Sequence, residues 1–156
     1  MSTDVYSPEK RSAVMRRVKG RDTAPEMTVR RLLRRARIGY RLGGCRLPGR
    51  PDVVMKGRRV VLFVHGCFWH GHDCPLFRWP KAREAFWREK IGRNRERDGE
   101  VVAKLGLAGW RVLTIWECSI RGPGRIGADA VLPRAADWLG STKGAGEIRG
   151  TVRAGG

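Results

Sequence analysis

Residues 52–65, DVVMKGRRVVLFVH, hold two largely apolar runs, from Asp52 to Met55 and from Arg59 to His65, on either side of a short Lys56-Gly57-Arg58 turn. Runs of Val, Leu and Phe around so short a polar turn predict a β-hairpin. The second run is apolar without alternation, so both of its faces should be buried. Upstream, the punctuated stretch Arg46–Asp52 (RLPGRPD) turns the chain into the hairpin. Downstream, Gly66–Pro80 is a loop rich in His, Cys, Trp and Pro. Working outward, 81–91 reads as a helix that Gly92 breaks or kinks, and 93–107 as a second helix with Val101, Val102 and Leu105 inward. Arg111–Trp116 is a further buried strand and Ala128–Leu139 a last helix. On the N-terminal side, Asp22 or Thr23 can cap a helix bearing Val29, Leu32 and Leu33 that runs to Gly39, and 8–19 reads as a short basic helix. The glycine-rich stretch 141–156 is weakly apolar and is expected to be a disordered tail. This order predicts a small mixed sheet covered by helices on both faces.

The chain has 156 residues, 33 of them Lys or Arg against 15 Asp or Glu, for a formal charge of +18. Self-repulsion of that size fits a polyanionic partner better than a small neutral metabolite. No run of about 18 apolar residues exists to span a bilayer. The N-terminal stretch has no apolar core of the secretory kind, so a cytoplasmic protein is expected. The basic residues are spread along the chain rather than gathered in one amphipathic anchor, which favours nucleic acid over a membrane surface.

The four cysteines are Cys45, Cys67, Cys74 and Cys118, and the three histidines, His65, His70 and His72, fall within eight residues. Without an export signal such cysteines point to metal binding or plain burial rather than disulfides. Cys45 is left over as an ordinary buried or loop thiol. Asp52 opens the first hairpin strand behind the rigid Pro51, a position from which a carboxylate can hold a hard divalent cation or simply cap a turn. Pro-Asp followed by a hairpin has the layout of PD-(D/E)xK nucleases. Here Phe63 stands where the acid would be and His65 where the lysine would be, so a backbone carbonyl, that of Val64, would have to complete the ligand set.

Five motifs in order, RDTAPE (21–26), LPGRPD (47–52), HGCFWHGHDC (65–74), FWREKIGRNRERD (86–98) and GWRVLTIWEC (109–118), resemble the very-short-patch repair (Vsr) endonucleases. The resemblance runs from about Ser12 to about Leu139. It implies a restriction-endonuclease-like α/β fold of the PD-(D/E)xK type, a mixed sheet flanked by helices with a structural zinc site. It implies one domain over 1–140, in which residues 1–20 form a basic helix that clamps DNA. The implied activity is nicking of DNA on the 5′ side of the thymine in a T:G mismatch left by deamination of 5-methylcytosine.

The resemblance also implies roles. Asp52 and the Val64 carbonyl would hold catalytic Mg²⁺. His70 would activate or position water, His65 would lie by metal and phosphate with Asp98 orienting it, and Glu26 would act through metal-bound water. Cys67, His72, Cys74 and Cys118 would bind structural Zn²⁺. Phe68, Trp69 and Trp87 would intercalate, Lys90 and Asn94 would touch the mismatched pair, and Met15 would lie on the clamping helix. Trp110, Trp116 and Trp138 read as core. The partner would be double-stranded DNA with a T:G mismatch, with mismatch-repair proteins a further candidate, and a monomer is expected. Two other readings stay open on the residues alone: a zinc-stabilised nucleic-acid-binding protein without catalysis, and a related restriction-type nuclease.

Overall fold

The computed structural model describes residues 23–151. The basic helix expected over 8–19, with Met15, lies outside them. The hairpin forms as predicted. β1 (Val53–Met55) and β2 (Val60–His65) are antiparallel, with Val53 opposite Leu62. Arg59 closes the turn at φ 56°, its N–H donating to the Lys56 carbonyl. Strand β3 (Arg111–Trp116) runs parallel to β2, pairing His65 with Trp116 at the end where the histidine loop begins.

Alternation along β2 divides the core in two. Val60 and Leu62 point to the face that also holds Val29, Leu32 and Leu33 of helix α1 (Ala24–Arg35) and Val131, Ala135 and Trp138 of helix α3 (Ala128–Leu139). Val61 and Phe63 point to the other face, against Leu105 of helix α2 (Glu84–Leu107) with Trp110 and Val112. The result is a mixed four-stranded sheet with helices on both sides. Among the described residues no helix is long and apolar enough to cross a membrane.

Helix α1 starts where Thr23 caps it, its hydroxyl accepting from the Glu26 N–H at 3.3 Å. It stops short of Gly39. Arg37 takes the left-handed conformation at φ 58°, and the Arg37 and Ile38 N–H groups fold back onto the Arg34 and Leu33 carbonyls.

Two expectations need correction. The chain from 84 to 107 is one unbroken helix, not two parted at Gly92. Ile91, Asn94, Asp98, Val101 and Leu105 recur at helical spacing on the side facing sheet and cleft, whereas a Cβ at Gly92 would meet nothing within 4 Å. The glycine therefore sits on an open face, where its propensity cost is too small to break the helix. The stretch 141–151 is no loose tail. It carries β4 (Ala145–Ile148), parallel to β3 and completing the order β1-β2-β3-β4. Arg111 secures the approach to it, stacking on Trp138 at 4.4 Å and donating to the carbonyls of Trp138, Leu139 and Lys143. Gly146 lies so close beneath Trp138 that a Cβ would come within 2.3 Å of the indole nitrogen.

Candidate active site and metal centre

The C-terminal end of β2, the loop that follows it and one side of α2 enclose a cleft of about 1410 Å³. Asp52, Glu26, Val64, His65, Phe68, Trp69, His70, Lys90, Asn94 and Asp98 all line it. The Asp52 backbone N–H donates to Leu62 across the hairpin, and its carboxylate Oδ2 accepts from the Val64 N–H at 2.7 Å. The hairpin register thus fixes the carboxyl group beside Val64. Burial pushes the Asp52 pKa up to about 7; the Val64 bond opposes this, and the neighbouring Glu26 carboxyl adds to it. An oxygen-donor group held in that state is one a hard divalent cation would return to its charged form, so these residues fit such an ion.

Glu26 is buried on α1 and ion-paired with Arg30 one turn further on. Arg30 is a residue that sequence reading missed. Its signal was there in the i, i+4 spacing, but nothing in the pattern said that the pair would face Asp52 rather than solvent.

His65 and His70 stack face to face, with ring centroids 3.7 Å apart and 4° between planes. Burial, with His70 and His72 close by, holds the His65 pKa well below the ordinary imidazole value, so this ring is neutral. Asp98 does not orient His65 as expected. Its Oδ2 lies 2.5 Å from His70 Nδ1. A carboxylate can only accept, so His70 Nδ1 carries the hydrogen of this contact. The difference arises because the 65–74 loop doubles back, with Gly71 N–H bonded to the Phe68 carbonyl, and brings His70 between His65 and α2.

Around the far side of the loop, Phe68 lies 5.2 Å from Trp69 and 5.3 Å from Trp87, and Trp69 lies 5.8 Å from Trp87. Phe77 and Phe86 extend this ring cluster, with Trp79 on Phe77, and none of the three was singled out from sequence. Asn94 donates to the Trp69 carbonyl at 2.9 Å and so holds the ring-bearing loop onto α2. Trp110 and Trp138 are buried as expected, whereas Trp116 is only partly so.

Cys67, His72, Cys74 and Cys118 each offer a donor atom within 4.8 Å of the others. His72 Nδ1 lies 3.6 Å from Cys67 Sγ and 3.5 Å from Cys118 Sγ. Burial lowers the His72 pKa, keeping the ring neutral, and burial also raises those of the Cys67 and Cys118 thiols. Crowded buried thiols beside a neutral imidazole are a donor set that one soft or borderline cation would satisfy, so the cluster can hold a metal. The backbone of Cys45 lies in the short turn Gly44–Arg46. Glu117 was also missed: its Oε1 accepts from the Cys67 N–H at 3.2 Å and ties the loop to the end of β3.

A family model described as DNA mismatch endonuclease Vsr matches residues 3–76. The DNA mismatch endonuclease Vsr of Escherichia coli (strain K12) is 44% identical over 136 residues, 87% of each chain. The chain belongs to the Vsr family of DNA mismatch endonucleases. Other relatives carry nicking-enzyme names. The Type II nicking enzyme V.XorIIP of Xanthomonas oryzae pv. oryzae is 46% identical over 81% of this chain and 93% of its own. The Type II nicking enzyme V.NmeAIP of Neisseria meningitidis is 40% identical over 76% and 85% respectively. A Vsr-family chain is a DNA endonuclease, and the +18 charge matches that substrate.

Proposed function

We propose that this protein nicks duplex DNA on the 5′ side of the thymine in a T:G mismatch and so opens very-short-patch repair. We read its fold as the PD-(D/E)xK type with a structural zinc at Cys67, His72, Cys74 and Cys118. The observation that carries the reading is one cleft lined by a half-buried carboxylate, Asp52, by the stacked imidazoles of His65 and His70, and by Phe68 and Trp69 of a ring cluster that Trp87 continues.

Asp52 and the Val64 carbonyl would hold Mg²⁺, which when bound neutralises charge on the phosphate and lowers the pKa of water. His70, with Nδ1 tied to Asp98, presents Nε2 to the attacking water and takes its proton. His65 is neutral and acts by hydrogen bonding rather than by charge. Glu26, engaged by Arg30, stands behind Asp52 and acts through water. Phe68, Trp69 and Trp87 wedge into the base stack, which is weakest at a wobble pair, so the cost of distortion itself selects the mismatch. Lys90 and Asn94, on the same side of α2, reach the opened pair. The enzyme works as a monomer, because one asymmetric lesion needs one active site.

The test is a duplex with a single T:G pair and its T:A counterpart, each incubated with Mg²⁺ or with EDTA. Nicking of the T:G duplex alone, and with Mg²⁺ alone, is expected. Equal cleavage of both duplexes would make this a restriction-type nuclease. Tight binding without cleavage would make it a binding protein.

A further inference from the structure

Trp116 ends β3 opposite His65, and its indole touches two sets of imidazoles. It lies flat on His72, with centroids 3.8 Å apart and 7° between planes. It is also edge-on to His65 at 5.3 Å and to His70 at 6.1 Å. One ring is therefore the shared wall between the Cys/His cluster and the stacked pair. The indole N–H donates to Glu147 Oε2 at 2.9 Å. Glu147 comes from β4, and the chain just beyond it is fastened to the Cys/His cluster. Arg149 donates to the Asp73 carboxylate and carbonyl, both at 2.7 Å, and the Gly150 N–H donates to Cys118 Sγ at 3.3 Å. The fit at Gly150 is close: a Cβ there would come within 2.3 Å of the Cys118 carbonyl oxygen.

We propose that Trp116 is a positioning residue for the His65–His70 pair, that Glu147 sets the rotation of its indole, and that β4 is thereby a working part of the active site. The inference rests on the reading of those imidazoles as the groups that act on water and phosphate. His65 Nδ1 is buried without a hydrogen-bond partner, so packing alone orients that ring: His70 on one side, and Phe63 and Trp116 around it. Rotation about the bond to an indole is broad and soft unless something pins it. The bond to Glu147 pins it, and the stack on His72 fixes its distance.

The test compares wild type with Glu147→Ala, Glu147→Gln, Trp116→Phe and the Trp116→Phe/Glu147→Ala double variant. Nicking of a T:G duplex is measured across DNA concentrations, zinc is counted per chain, and the His65 and His70 ring resonances are recorded by NMR without DNA. Glu147→Ala is expected to lower kcat by about tenfold, as loss of an outer-shell partner does, with KM and zinc content unchanged and both imidazole resonances moved. Glu147→Gln keeps an acceptor oxygen and should recover most of the loss. The double variant should be no worse than Trp116→Phe, since both changes remove one bond. Additive losses, a change confined to KM, loss of zinc, or resonances that stay put would overturn the proposal. Wild type that binds but does not nick would instead sink the reading of the site, while the resonances would still decide the packing claim.

Discussion

In the proposed reaction the chemistry of the cleft turns on one side chain, Asp52. Its folded pKa, near 7, lies above the ordinary value of 3.8, so the metal-free folded state holds an extra proton between those two pH values. The resulting stabilisation is complete below about pH 4 and is lost as pH rises through about 7. Wild type should therefore lose melting temperature relative to Asp52→Asn between pH 4 and pH 7.5, and Mg²⁺ should restore the difference at the upper end. A difference that does not move with pH would mean the carboxyl is not shielded from water as described. The same variant should abolish nicking while leaving DNA affinity largely intact, as gel shift and single-turnover assays would report. That Asp52 would line one cleft with His65 and His70 was legible in the sequence, because a hairpin of this length brings its first residue near the end of its second strand. Which imidazole Asp98 would meet was not, because it depends on how the 65–74 loop folds back over α2. Arg30, Glu117 and Glu147 were equally hidden: a charged residue's partner across elements is set by packing, not by local spacing.

At the scale of elements, the hairpin, β3 and the helix Ala128–Leu139 follow from local signals, the helix in spite of Pro133 within it, and all appear where the residues placed them. Glycine misled twice, in opposite ways. Gly92 reads from sequence as a break or kink, yet it sits on the open side of α2. Gly92→Ala should accordingly add about 1 kcal/mol of stability, a rise of roughly 2–4 °C in Tm for a chain of this size. A fall in Tm would show that the helix does bend there. Gly146 and Gly150 fall in the glycine-rich stretch expected to be a disordered tail, yet each lets chain approach a neighbour more closely than a side chain would allow. Composition cannot separate these uses, because both look like glycine in a polar stretch. The Gly66–Pro80 loop has little apolar periodicity, and in the proposed reading a metal at its Cys/His cluster holds it instead. Cys74→Ala should therefore lower Tm by several degrees and leave zinc content well below one per chain. An unchanged melt with full zinc would contradict the assignment.

Across the whole molecule, three features converge on one cleft. The sheet sets Asp52 and His65 at the same strand ends, α2 runs alongside with Lys90, Asn94 and Asp98, and the ring cluster stands at the junction of loop and helix. The large positive charge supplies attraction without sequence information, so in the proposed reading recognition falls to the cleft. The most direct measurement is anomalous diffraction from crystals of the protein with a T:G duplex and Mn²⁺ in place of Mg²⁺. The expected result is a manganese peak on the Asp52 carboxylate, next to the phosphate 5′ of the thymine, with Phe68, Trp69 and Trp87 inserted beside the mismatch. A peak elsewhere with the Asp52 carboxylate bare, or an undistorted base stack lying outside the cleft, would contradict it.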